Sequence, residues 1–210
     1  MLALTKSTPH MPSQHAPCVS YFGNTDTLAF PLILIVGREY NGMGPVSHQA
    51  GRYDFTSSPR SLFWNRAYGL IDRITSEGPT LKDNCKSFRA SPIIFSNVLP
   101  TAIEASVKNK WSARQKITES AIDRHIASVF QQTLIERVET VILACGPEKV
   151  FEYGSKLFRD HCEITRTPIV PLPYLGSRLG NQEFDGLVSE SDAKVIRHAV
   201  ECFRLARSEG

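Results

Sequence analysis

A chain of 210 residues, 41% hydrophobic and 21% charged, has enough length and apolar content for one sizeable core and excludes an unfolded, highly charged tail as its main component. Its formal charge of +3 permits a nucleic-acid partner without requiring one. No apolar run approaches the roughly 20 residues of a membrane span, and residues 1–28, rich in Ser, Thr, Pro and His, lack the charged and apolar regions of a signal peptide. The expectation is a cytoplasmic protein with an extended lead-in over 1–28 and a single domain over 29–210. The five cysteines, Cys18, Cys85, Cys145, Cys162 and Cys202, are scattered and form no CxxC pair, so they read as reduced thiols.

Leu32 to Val36 is a continuous apolar run without alternation, the pattern of a parallel strand buried on both faces and central in its sheet. Gly37 ends it, and Arg38, Glu39, Tyr40, Asn41 and Gly42 open a tight polar loop. Ser47 to Ser58 reads as a long exposed loop carrying Tyr53 and Phe55. Ser58 then caps a helix that begins at Pro59 and ends at Gly78-Pro79, with Leu62, Phe63, Arg66, Leu70 and Ile74 putting most of their apolar atoms on one stripe.

Pro92 to Leu99 is a second buried strand, interrupted by Ser96 and Asn97, whose polar groups need partners. Thr101 to Thr118 is less regular and basic, with Lys108, Lys110, Arg114 and Lys116 around Trp111. A helix is predicted over Ser120 to Val138 from the spacing of Ile122, Ile126, Val129, Phe130, Leu134 and Ile135. Thr140 to Ala144 is the third strand, closed by Cys145-Gly146-Pro147, and Glu148 to His161 the next helix. Ile164 to Leu172 is a fourth strand, kept short and near an edge by Pro168 and Pro171. A loop from Tyr174 to Gly186 leads into a last helix from about Ser189, with Val195, Ile196, Ala199, Val200 and Phe203 as its buried face. Four alternations of strand and helix predict an α/β domain with a mainly parallel sheet.

In such a sheet the strand ends share one rim, where ligands bind. Glu39, Tyr40, Asn97, Tyr174, Ser177 and Arg178 are therefore expected to converge. A carboxylate at Glu39 is suited to orient a water as general base. The amide of Asn97 both donates and accepts, as reading a base edge requires. Tyr53 or Phe55 offers a stacking face for a planar ligand.

Gly37-Arg38-Glu39 at the end of the first strand, Phe55 ahead of Pro59, Ser61, Leu62 and Asn65, and Asn97 in IFSNVLPT together resemble the uracil-DNA glycosylase superfamily over roughly Leu32 to Arg204. The resemblance implies a three-layer α/β/α sandwich around a four-stranded parallel sheet, DNA as partner, no cofactor and no metal. It also implies hydrolysis of the N-glycosidic bond of a damaged or deaminated base that has been flipped from the duplex. By the same resemblance Gly37, Tyr40, Phe55 and Asn97 hold the base, with Phe55 stacking and Asn97 reading the edge. Glu39 positions water, with Tyr174 or Ser177 supporting catalysis. Lys108, Lys110, Trp111, Arg114 and Arg178 meet the DNA, and Leu175 or Leu179 serves as an apolar wedge. Two positions depart from the family pattern: Tyr40 stands where proline is usual, and Leu172 where a His usually stabilises the departing base. That departure keeps a second reading open, a non-catalytic nucleic-acid or nucleotide binder on the same fold.

Structural readings compete at each position. Glu39 is equally suited to pair with Arg38, Asn97 to cap a turn, and Trp111 to anchor a solvated helix face. Cys145 lacks the flanking glycines of a nucleophile elbow, the glycines of GREYNGMG do not follow a dinucleotide spacing, and His48 and His125 have no partner at metal-ligand spacing.

Overall fold

The computed structural model describes residues 19–21, 28–38, 41–42, 66–67, 69–71, 93–100, 103–104, 110–176 and 186–209. In chain order these form β1 (Ser20–Tyr21), β2 (Leu32–Gly37), β3 (Asn41–Gly42), β4 (Ile93–Asn97), β5 (Ile103–Glu104), α1 (Lys110–Gln115), α2 (Glu119–Phe130), β6 (Val138–Leu143), α3 (Lys149–Thr165), β7 (Ile169–Pro171) and α4 (Glu190–Ser208). Residues 66–67 and 69–71 are also helical. None of the described helices is long and apolar enough to cross a membrane.

Strands β4, β2, β6 and β7 pair in parallel, in that order, which is the predicted four-stranded parallel core with β2 central and β7 at the edge. The lead-in contributes a short fifth strand, because Ser20 and Tyr21 pair antiparallel with Phe95 and Ile94. A separate two-residue ladder joins β3 to β5.

The apolar run of β2 is buried along its whole length because helices cover both faces of the sheet. Odd-numbered Ile33 and Ile35 join Ile93, Phe95, Ile142 and Val170 against Ala67, Leu70 and Ile71 and against Ile196, Ala199 and Val200 of α4. Even-numbered Leu34 and Val36 face the other way, with Ile94, Val141 and Leu143, onto Ile122, Ile126 and Val129 of α2 and Phe151, Phe158 and Cys162 of α3. Each large side chain fully buried there contributes about 1.5–3 kcal/mol of transfer free energy.

Two predicted elements are corrected. The helix expected over Ser120 to Val138 stops at Phe130: Gln132 turns extended, and Thr133–Arg137 continues as a 3-10 turn before β6 begins. Leu134 and Ile135 still pack, half-buried, against the α2–α3 cluster, so the helical spacing picked out their packed side while the backbone changed course. The strand expected over Ile164 to Leu172 is only Ile169–Pro171, because α3 runs on to Thr165 and leaves Ile164 81% exposed. Arg166, at φ 58°, reverses the chain there, and the Thr167 N–H donates to the Cys162 carbonyl at 2.9 Å. The closing helix starts where expected, with Ser189 as its N-cap, its hydroxyl accepting from the Asp192 N–H.

Candidate functional site

The parallel registers bring the four strand ends level. Gly37 lies opposite Asn97, Val36 opposite Leu143, and Leu143 opposite Pro171. Backbone bonds extend the rim past the ladder: Val98 N to Gly37 O at 3.0 Å, Leu99 N to Arg38 O at 3.0 Å, Ala144 N to Val36 O at 2.8 Å and Leu172 N to Leu143 O at 2.9 Å. From β2 the chain crosses to β4 on one side, and from β4 it returns to β6 on the other. The reversal of direction opens a crevice beyond the carboxyl ends of β2 and β6, the usual ligand position in an open α/β sheet.

At the carboxyl end of β4, opposite Gly37, stands Asn97. It is 2% exposed, and among the described residues its Nδ2 has no hydrogen-bond partner. Its carbonyl oxygen is held by Nε2 of buried His125 at 2.8 Å. The backbone is thereby fixed from α2 while the amide donor stays uncommitted. Burying such a donor without a partner costs about 1–3 kcal/mol, which a ligand acceptor would recover.

On the β6 side the crevice is lined by Arg38. Its Nε donates to the Cys145 carbonyl at 2.7 Å and its Nη2 pairs with the Glu148 carboxylate at the start of α3. The guanidinium carbon lies 4.0 Å from the centre of the Tyr174 ring and 4.9 Å from that of Phe151. Gly146, at φ +72°, lets the β6–α3 turn pass beneath this group, since a Cβ there would stand 3.1 Å from Arg38 Nη2. Cys145 points inward and its thiol donates to the Gly37 carbonyl at 3.2 Å, tying the two strand ends from below. A cleft of about 480 Å³ continues outward from here, between Gly146, Glu148, Ser155 and Arg159 on one wall and Pro171 and Pro173 on the other.

Of the residues expected at the site, the rim unites Gly37, Asn97 and Tyr174. Tyr174 supplies its ring face to Arg38 and folds over Gly176, where a Cβ would come within 2.6 Å of the ring. Leu175 does not project as a wedge: it is fully buried in the cluster beneath α4, and its carbonyl accepts from Nη1 of buried Arg66 at 3.1 Å. Arg114 is half-buried with its guanidinium 5.2 Å from the centre of the Phe151 ring. Lys110 and Trp111 lie on α1, with only their backbone described. Glu39, Tyr40, Phe55, Lys108, Ser177, Arg178 and Leu179 lie outside the described residues.

Three residues of the rim escaped sequence reasoning in their present roles: Arg38 as its centre, Glu148 as its counter-charge and His125 as the support of Asn97. The available signal for Arg38 was its place directly after a strand-ending glycine. Nothing in the local pattern pairs His125 with a residue 28 positions earlier. Among the described residues no three His, Cys, Asp or Glu side chains are grouped as a metal site needs. The chain matches no family model and no curated protein.

Proposed function

We propose that this chain is a DNA glycosylase-like protein that takes a flipped, damaged or deaminated base into the rim crevice and hydrolyses its N-glycosidic bond. The observation that carries the reading is the buried Nδ2 of Asn97 at the end of β4, which has no hydrogen-bond partner among the described residues. An amide donor whose backbone is held in place at a strand end is suited to an acceptor on a base edge, such as a ring carbonyl. The expected partner chemistry follows from the sequence. Glu39, two residues beyond the Gly37 that pairs with Asn97, orients the attacking water, and Phe55 stacks on the base.

The departure of the base leaves negative charge on it, and in this chain the segment after β7 begins with Leu172, which is 4% exposed and packed in the core. Leu172 supplies no donor, and the lack of one such donor costs about 3 kcal/mol of transition-state stabilisation in comparable sites. That observation favours the second reading, a nucleic-acid or nucleotide binder that does not cut.

One assay separates them. Oligonucleotides carrying uracil or hypoxanthine are incubated with excess protein, and free base and abasic sites are quantified alongside DNA affinity across a salt series. Base release that is lost in Glu39→Gln supports the enzyme. Salt-dependent binding without release supports the binder, and neither binding nor release removes both.

A further inference from the structure

We infer that Arg38 is the positioning residue of the rim: its backbone carbonyl and its side chain together hold the ends of β2, β4, β6 and β7 in a fixed relation. At the end of β2 its own carbonyl accepts from Leu99, just past β4. Its Nε donates to the carbonyl of Cys145, just past β6, and its Nη2 engages Glu148 at the start of α3. Its flat face rests on Tyr174, in the segment that follows β7. Contacts of four kinds, backbone bond, charge-assisted bond, ion pair and ring stack, thus meet at one residue whose side chain is only 14% exposed.

The chemistry of the group explains why an arginine stands here. Satisfying the Cys145 carbonyl and the Glu148 carboxylate together calls for donors in a rigid fork, and lying on a tyrosine ring calls for a planar cation. A lysine ammonium keeps the charge but has neither the secondary donor nor the plane. With Nε and Nη2 engaged and the plane held on Tyr174, the guanidinium is fixed in place, and Arg38 acts through its neighbours. It holds the segment carrying Tyr174 against the turn at Gly146. The ends of β6 and β7 are thereby kept in register with the β2 end that pairs with Asn97.

The catalytic consequence rests on the glycosylase reading, whereas the positioning role does not. The test therefore uses two readouts on the full chain, with Arg38→Met and Arg38→Lys. Amide hydrogen exchange is followed over residues 97–99, 144–148 and 172–176, with α2 and α4 as internal references. Base release is measured in single turnover on uracil- and hypoxanthine-containing DNA, with DNA affinity measured separately.

In Arg38→Met the three rim segments are expected to exchange at least about tenfold faster while α2 and α4 are unchanged. Base release is expected to fall about a hundredfold at unchanged DNA affinity, the signature of misplaced groups and not of lost binding. Arg38→Lys is expected to recover the 148 segment in part and leave 97–99 and 172–176 loose. Unchanged exchange at the rim, or a uniform rise across the sheet and helices of whichever variant folds, overturns the inference. If the wild-type protein releases no base, the enzymatic reading fails by itself, and exchange alone decides the role of Arg38.

Discussion

His125 Nε2 lies 2.8 Å from the carbonyl oxygen of Asn97, and because a carbonyl only accepts, the ring carries its proton on Nε2. Burial lowers the His125 pKa below the usual 6.5, opposed in part by this bond. The sign follows from proton counting. Between the folded pKa and 6.5 the unfolded chain binds the proton and the folded chain does not, so stability is complete above about 6.5 and falls as pH drops toward the folded value. His161, also lowered by burial, adds to the same slope. Urea unfolding at pH 7.5 and 5.5 is expected to show a loss on acidification that is smaller in His125→Leu. At pH 7.5 that variant should be weaker by about 1–3 kcal/mol, because the Asn97 carbonyl loses its donor. An unchanged acid slope would locate the titration elsewhere.

Asn97 should behave in the opposite sense. Its Nδ2 has no partner among the described residues, so trimming the amide removes a buried liability. Asn97→Ala is expected to change unfolding free energy by no more than about 1 kcal/mol, the cavity offsetting the relief. Base release, or base-dependent binding, should fall by tenfold or more. A stability loss of several kcal/mol with unchanged ligand behaviour would mark the side chain as structural.

Gly154 lies on the face of α3 turned toward the end of β4. A Cβ built there would meet the Val98 Cβ at 3.0 Å, the Val98 carbonyl at 3.1 Å and Ile122 at 3.3 Å. Alanine is the better helix former by about 1 kcal/mol. The backbone carbonyl cannot move aside as a side-chain tip would, however, so overpacking of about 1–3 kcal/mol should win. Gly154→Ala is expected to lower the urea midpoint, and a raised midpoint would show that α3 shifts freely.

Cys162, 2% exposed on the inner face of α3, has its thiol pushed up to about 11 by burial. Almost no thiolate is present at pH 8, and little of the side chain meets solvent. Site-resolved alkylation by iodoacetamide should find Cys162 protected in buffer and labelled in step with unfolding as urea is raised. Labelling of the native protein at a rate independent of urea would contradict this burial.

The sheet was legible because its signals are local. An unbroken apolar run such as Leu32 to Val36 has one economical placement, and prolines at 168 and 171 leave β7 only an edge position. The rim was legible only in outline. Strand ends could be ranked from sequence, which brought out Gly37, Asn97 and Tyr174. The partners of these residues lie far along the chain: 107 positions separate Arg38 from Cys145, and 109 separate Arg66 from Leu175. Leu175 illustrates the limit, since an apolar residue in a loop reads equally as an exposed wedge or as a core anchor until the surrounding helices are known. The end of α2 was missed because a 3-10 turn continues to pack Leu134 and Ile135, half-buried, at nearly helical intervals.

Gly146 joins the conformational and the functional halves of the rim. At φ +72° any L side chain is strained by about 1–2 kcal/mol. A methyl group there would also press on Arg38 Nη2 at 3.1 Å, while the Tyr174 backbone nitrogen, at 3.4 Å, stays at ordinary contact distance. Gly146→Ala is therefore expected to lose more stability than the φ penalty alone, about 2–3 kcal/mol in urea unfolding. The excess should disappear when Arg38 is already Met, because the contact that produces it has been removed. A double-mutant cycle of Gly146→Ala with Arg38→Met measures that coupling directly. A coupling near zero would mean that the turn yields without touching the guanidinium, and would place the cost of the alanine in its backbone alone.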